Sequence, residues 1–319
     1  MAKNKRTKII SFVVDSKEIR AVELCGTPAA PTLSTFGGIA LSEGMIVDGV
    51  IQNVPAVASR LTQLLNDCHF TAKNVIIGVK NSNVLLRMAT FPNLPLDKLK
   101  GAVAYQSQQF IPIPVSELIL DFVVCGENTS SERPMLNVLL VGAKKNYINA
   151  LIEAVDITGL KIKEIDAAML AVCRGVIASC TPQDNSFLLA NIDSEMTNIA
   201  IITNGIIMMT RSIMLSSELS DILNENTNGT LSDEGCKNAA KALQDDIIAS
   251  INYFTSQNNV TIGTAYLTGQ FPSLKDIAYE VQELTGLTVT SPQLYTQFSE
   301  IDTMAYSDCI SLALRGLEG

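Results

Sequence analysis

The stretch Phe187–Arg211, FLLANIDSEMTNIAIITNGIIMMTR, decides how the rest of the chain is read. An apolar run (Phe187–Ile192) meets a polar turn (Asp193–Met196), a second run (Thr197–Thr203), an Asn204-Gly205 corner and a third run (Ile206–Arg211). Asn-Gly between apolar runs is the strongest short-range hairpin signal, because both residues tolerate the positive φ of a primed turn. The spelling predicts a β-meander. A weaker echo lies near the N-terminus, where Ile9–Val14 reads as a strand, Asp15-Ser16-Lys17-Glu18 as a turn and Ile19–Leu24 as a second strand. The two turns share a spelling, Val13-Val14-Asp15-Ser16-Lys17 against Asn191-Ile192-Asp193-Ser194-Glu195. Two such units, each opening one half of the chain, predict a duplicated architecture with a cleft between the halves.

Outward from these hairpins, Ala29–Leu41 reads as a strand and Leu41–Gly49 as a loop or short edge. Val54–Phe70 carries Val57, Leu61, Leu64, Leu65 and Cys68 at helical spacing, with Pro55 tolerated in the first turn. Val75–Val79 fits a buried strand that follows this helix in βαβ fashion. From Leu94 the character changes. A helix over Leu94–Gln109 ends in the turn Ile111-Pro112-Ile113-Pro114, and strands Ile119–Cys125 and Asn137–Gly142 flank a polar loop, Gly126–Arg133. A helix over Lys144–Thr158 stops at Gly159, and Leu160–Ile165 is a strand. This succession predicts a compact α+β insert over 82–166, of the kind that carries partner contacts. A helix at Ala167–Ala178 and the linker Ser179–Ser186 close the first half. Beyond the meander come a polar loop around Asn224–Ser232, helices over Asp233–Ser256 and Ser273–Leu284, strands Thr264–Thr268 and Leu287–Thr290, and a terminal helix, Tyr306–Arg315. The expected class is α/β or mixed α+β with two lobes, the first over 1–81 and 167–182 and the second over 183–319.

A chain of 319 residues with 47% hydrophobic content has material for more than one core. The formal net charge is −9, and basic residues cluster only at Lys3, Lys5, Arg6 and Lys8. That argues against nucleic acid, because phosphate neutralisation needs clustered Lys and Arg. The basic tail reads as a solvated terminus rather than a membrane contact. No apolar run approaches the ~18–20 residues that span a bilayer, and the start of the chain lacks the apolar core of a signal peptide, so a cytosolic location without a transmembrane segment is expected. Seven cysteines lie singly with no CxxC pair, which predicts reduced thiols and no metal site. His69, the one histidine, falls at the end of a helix, and no catalytic residue is assigned.

Three further stretches carry a resemblance: Ile19-Arg20-Ala21-Val22-Glu23-Leu24, Gly44-Met45-Ile46-Val47-Asp48-Gly49, and FPNLPLDKLKGAVAYQSQQFIPIPVSELILDF over Phe91–Phe122. Val138–Ile165 and the closing Ile310–Leu317 extend it. In order and spacing these stretches resemble the PilM family of type IV pilus assembly proteins, within the actin-like ATPase group that includes the cell-division protein FtsA. The resemblance implies the duplicated actin-like (ribonuclease H-like) two-lobed fold with an inserted α+β subdomain. It also implies a nucleotide cleft for ATP and Mg²⁺, made of two phosphate hairpins and an adenosine loop. The first hairpin falls on Asp15, Ser16 and Lys17, the second on Asp193, Ser194 and Thr197, and the adenosine loop on Thr268, Gly269, Gln270 and Phe271.

This chain departs from the family pattern at all three places. Each phosphate turn of the family has a glycine that lets backbone N–H groups reach the polyphosphate, preceded by a carboxylate on the metal side. Here the glycines are Asp15 and Asp193, and the carboxylates are Val13 and Asn191. A carboxylate within ~4 Å of a phosphate costs about 4 kcal/mol at an effective dielectric near 20, roughly a thousandfold in affinity. Glu195 adds negative charge, Lys17 offsets some, and Phe271 fills space beside the base. A degraded cleft is the expectation; the alternative is that Asp15 or Asp193 recruits a metal in a rearranged site. Asp245 and Asp246 fall where relatives carry an acidic residue near the ribose, and read as a solvated helix face.

The function expected from the resemblance is a scaffold at the cytoplasmic face of the inner membrane. Its partner would be the N-terminal cytoplasmic tail of a PilN-like membrane protein, lying in a groove bordered by the insert that apolar residues of Phe91–Pro114 line unless they pack its core. Pilus motor ATPases and a second copy of the chain are further partners that the resemblance admits. The competing function is an active actin-like ATPase whose ATP binding regulates assembly. A sugar or acetate kinase on the same fold needs a catalytic carboxylate and substrate pocket that the sequence does not supply.

Overall fold

A computed structural model describes residues 7–47, 49–128, 134–180, 185–225 and 230–318. Lys3, Lys5, Arg6 and Asp48, and parts of the Gly126–Arg133, Ser179–Ser186 and Asn224–Ser232 segments read above, lie outside the described residues. In chain order the first elements are β1 (Thr7–Val14), β2 (Glu18–Thr27), β3 (Ala30–Ala40), β4 (Ile46–Val47), β5 (Val50–Ile51), α1 (Val54–Asp67), β6 (Asn74–Val79) and β7 (Val84–Pro92). There follow α2 (Leu96–Gln106), β8 (Leu118–Asn128), β9 (Met135–Lys144), α3 (Lys145–Thr158), β10 (Lys161–Ala167) and α4 (Ala168–Ser179). The last are β11 (Ser186–Ile192), β12 (Met196–Thr203), β13 (Ile206–Met214), α5 (Ser217–Glu225), α6 (Asp233–Gln257), β14 (Thr264–Gly269), α7 (Leu274–Thr285), β15 (Thr288–Thr290) and α8 (Ser307–Glu318).

The chain divides into two compact units, the first being Met1–Ser82, Asn146–Cys180 and Pro292–Gly319, the second Asn83–Lys145 and Thr181–Ser291. In the first unit β1 and β2 form an antiparallel hairpin, β6 lies parallel to β1, and the sheet order is β10-β6-β1-β2-β3. Central strands read as near-continuous apolar runs because both faces are covered, and Ile10, Phe12, Ile19, Val22, Val75 and Ile77 are fully buried. Helices α4 and α8 pack on each other and over this sheet. Helix α1 starts as its sequence dictates: Asn53 accepts from Ala56 N at 3.0 Å, and Pro55 occupies the first turn.

Three placements differ from the expectation: helix α3, expected in the insert, falls in the first unit from Asn146 onward. Strand β10, expected in the insert, pairs in parallel with β6 and belongs to the first sheet. Helix α8, expected in the second lobe, joins the first unit: Ser11 Oγ donates to the Cys309 carbonyl at 2.6 Å. Close approach does the rest, since a Cβ on Gly78 would stand 2.6 Å from Leu312, and one on Gly316 the same distance from Ile9.

In the second unit the meander is as the sequence predicts, with Asn204 and Gly205 both at positive φ and sheet order β13-β12-β11-β14-β15. Every residue of β11 is buried. Helix α6 is capped by Ser232, which accepts from Gly235 N, and α7 ends on Gly286 at φ +70°. The insert is a three-stranded antiparallel sheet, β7-β9-β8, closed on one face by α2. Phe91, Leu99, Val103, Ile111 and Ile113 fill its core, so of the two readings of Phe91–Pro114 these five residues take the packing one. Thr210 Oγ1 of β13 donates to the Leu86 carbonyl of β7 at 2.9 Å, so the insert sheet meets the meander within this unit.

Candidate functional site

The first hairpin turn is built around one carboxylate. Asp15 N donates to the Glu18 carbonyl at 3.1 Å and closes the turn. The Asp15 side chain folds back over it, and Oδ1 accepts from Lys17 N and Glu18 N, both at 2.8 Å. Oδ2 faces Lys80, whose Nζ stands 3.7 Å away at the end of β6. The same ammonium is 3.8 Å from Asp308 Oδ2 on α8. Asp308 in turn takes both guanidinium arms of Arg20, at 3.4 and 3.1 Å, and Arg20 Nε lies 3.0 Å from Glu18.

Five charged groups from the turn, β2, β6 and α8 thus alternate in sign, and all but Glu18 have side chains under 10% exposed. At 3.7 Å the Lys80–Asp15 attraction is about 4 kcal/mol for an effective dielectric near 20, offset by the desolvation of both groups. Burial pushes the Asp308 carboxyl up, but the charges of Arg20 and Lys80 and the Cys309 N–H outweigh it and hold the group below the usual carboxylate range. Burial pulls the Arg20 guanidinium down, and Asp308, Cys309, Glu18 and Asp15 more than reverse that. The Tyr306 ring lies over the guanidinium at 5.7 Å, and burial pushes its hydroxyl up to about 12.

The second hairpin is satisfied differently. Asp193 N donates to the Met196 carbonyl at 2.9 Å. Asn191 Nδ2 donates to Asp193 Oδ2 at 2.9 Å, and Asn191 Oδ1 accepts from Thr268 Oγ1 at 3.0 Å. Gln270 N donates to the Ile192 carbonyl at 3.0 Å, which stitches the loop after β14 onto the hairpin. Gly269 makes this possible: at φ +115° it lies so close that a Cβ would collide with the Ile192 carbonyl oxygen. Asn191, Asp193, Thr197, Thr268 and Phe271 are buried, while Ser194 and Gln270 are half-buried.

Of the residues singled out by sequence, Asp15, Ser16 and Lys17 form one turn in the first unit, with Ser16 half-buried and Lys17 exposed. Asp193, Ser194, Thr197, Gly269 and Gln270 come together in the second. Asp245 is exposed and Asp246 half-buried; burial pushes the Asp246 carboxyl up against the pull of Arg211. His69 is exposed beyond α1 at φ +57°. Sequence reasoning missed Lys80, Arg20 and Asp308. One signal was available: Lys80 directly follows a buried parallel strand, and the carboxyl ends of such strands carry site residues. Among the described residues no group of three or more His, Cys, Asp and Glu is arranged to hold a metal ion, and no helix is long and apolar enough to cross a membrane.

Comparison with solved structures defines the class as the actin-like ATPase fold. The chain matches a "PilM-PilN type IV pilus biogenesis complex" at TM-score 0.81 and 20% identity, over 98% of this chain and 100% of that one. It matches the ethanolamine utilization protein EutJ from Carboxydothermus hydrogenoformans at TM-score 0.58 and 12% identity, over 97% and 89%. A Bacteroides thetaiotaomicron protein with actin-like ATPase fold and unknown function matches at TM-score 0.56 and 10% identity, over 98% of each chain. The family model for type IV pilus assembly protein PilM matches residues 13–221, and the chain belongs to that family.

Proposed function

We propose that this chain is a scaffold of type IV pilus assembly or a related secretion machine, peripheral to the cytoplasmic face of the inner membrane, that binds the N-terminal tail of a PilN-like membrane protein and does not depend on ATP. The observation that carries the second half is the Asp15 turn: the N–H groups of Lys17 and Glu18, the donors that a phosphate would need, are already bound to the Asp15 carboxylate. At the other hairpin an amide, Asn191, stands where the family has a carboxylate for the metal, and both its ends are hydrogen-bonded. These residues do not fit ATP with Mg²⁺. The partner half is supported by family membership and by the likeness to a structure described as a PilM–PilN complex.

Two titrations of the full chain test it. Calorimetry with a synthetic peptide of the PilN-like tail encoded in the same genome is expected to give saturable binding, and a flat titration would overturn the scaffold reading. A fluorescent ATP analogue with Mg²⁺ is expected to bind weakly. Low micromolar affinity would restore the ATPase reading.

A further inference from the structure

We propose that the first hairpin is an anion site occupied from within, the Asp15 carboxylate sitting on the backbone N–H groups and facing the lysine that would otherwise receive a phosphate-type anion. This rests on the closed-site reading above and states how the first hairpin is closed. Two successive N–H groups, Lys17 N and Glu18 N, converge on a single oxygen at 2.8 Å each, and an ammonium, Lys80 Nζ, faces the other oxygen of the same carboxylate at 3.7 Å. Convergent backbone amides beside a cation are the donor set by which turns bind phosphate.

An ordinary Asx turn needs only the amides. Here the Asp15 side chain is 6% exposed and the lysine side chain 8% exposed, so the charge contact is buried with the turn. Charge placement points the same way. Lys80 and Arg20 face the carboxylates of Asp15, Asp308 and Glu18, and Asp15 puts its negative charge where an incoming anion would sit. Loss of the Asp15 carboxylate takes one negative charge away from Lys80 and removes the acceptor of the two turn amides. At the second hairpin the Asp193 carboxylate accepts from the Asn191 side-chain amide.

The test is calorimetric titration of the full chain with inorganic tripolyphosphate in Mg²⁺-free buffer. Asp15→Gly is expected to bind it at least tenfold tighter than the unaltered protein, and Asp15→Gly/Lys80→Met to return to the unaltered affinity. Asp15→Asn keeps the two turn hydrogen bonds and removes only the charge, so it is expected to gain less. The proposal is overturned if Asp15→Gly, folded by circular dichroism and thermal melting, binds no tighter, or if its gain survives the loss of Lys80. Should Asp15→Gly not fold, Asp15→Asn decides, and no gain there overturns the proposal equally. Low micromolar binding by the unaltered protein is a separate result, which sinks the closed-site reading itself.

Discussion

Replacing Arg20 by Met tests whether the buried charge chain holds α8 to the β1–β2 hairpin. Arg20 is 3% exposed and meets Asp308 through both guanidinium arms, the nearer at 3.1 Å, across 288 residues of sequence. Removing one partner of a buried pair costs about 3–5 kcal/mol, because the other charge stays desolvated. Asp308 retains Lys80 at 3.8 Å and the Cys309 N–H at 2.7 Å, so the low end, about 3 kcal/mol, is expected. At about 2–4 °C per kcal/mol for a unit of this size, the melting temperature falls by about 6–12 °C. Acid should narrow the gap. The depressed Asp308 carboxyl contributes stability that is present above its ordinary value of 3.8 and lost as pH falls through the lower folded value. In Arg20→Met that carboxyl loses its main counter-charge, titrates at higher pH, and is relieved first by protonation. Urea unfolding at pH 7 and at pH 3 measures both effects. Adding Asp308→Leu should recover at least about 1.5 kcal/mol of coupling. Strict additivity, or an Arg20→Met variant within about 0.5 kcal/mol of the parent, would refute the claim that these groups act as a unit.

Two further substitutions test other joints. Glu23 has a fully buried carboxylate that accepts from Thr71 N and Ala72 N at 2.7 Å and from the Ser34 and Thr71 hydroxyls at 2.9 Å. Burial raises its pKa, but these donors more than reverse that and leave it below 4.5. Glu23→Gln should therefore cost about 2–3 kcal/mol at pH 7, and the deficit should shrink as pH falls through the depressed folded value; a deficit constant from pH 7 to pH 3 would count against the clamp. Gly269→Ala puts a Cβ against the Ile192 carbonyl at φ +115° and should cost about 3 kcal/mol in thermal unfolding, whereas a neutral effect would mean that the loop does not rest on the hairpin.

Local chemistry made the hairpins and capped helices readable. Asn204-Gly205 demands positive φ, Asn53 and Ser232 stand at helix starts, and Gly286 stands at a helix end. Strand β7 was not read because Arg87 and Thr90 interrupt its apolar run and its buried positions change phase between Leu86 and Ala89. Helix α5 was not read because SELSDILNE is polar, and among its described side chains Leu219 is the one buried. The destinations of β10 and α8 depend on partners far away in sequence, and amphipathicity reports a buried face without naming the sheet that covers it. Asp15 was legible as a misfit for a phosphate turn. That it is held by Lys80 was not, because 65 residues separate them.

The two hairpins share a spelling yet reach polar satisfaction by different routes, and the difference bears on how the protein could be controlled. A turn whose N–H groups wait for a ligand changes its hydrogen bonding when the ligand arrives, and that change can bias a conformational equilibrium. In the Asp15 turn the acceptor belongs to the chain, so the bonds are made whether or not nucleotide is present. A ligand with no differential contact to two states shifts neither of them. Under the proposed reading, control of this protein must therefore enter through its partners, and its binding to a PilN-like tail should be indifferent to ATP.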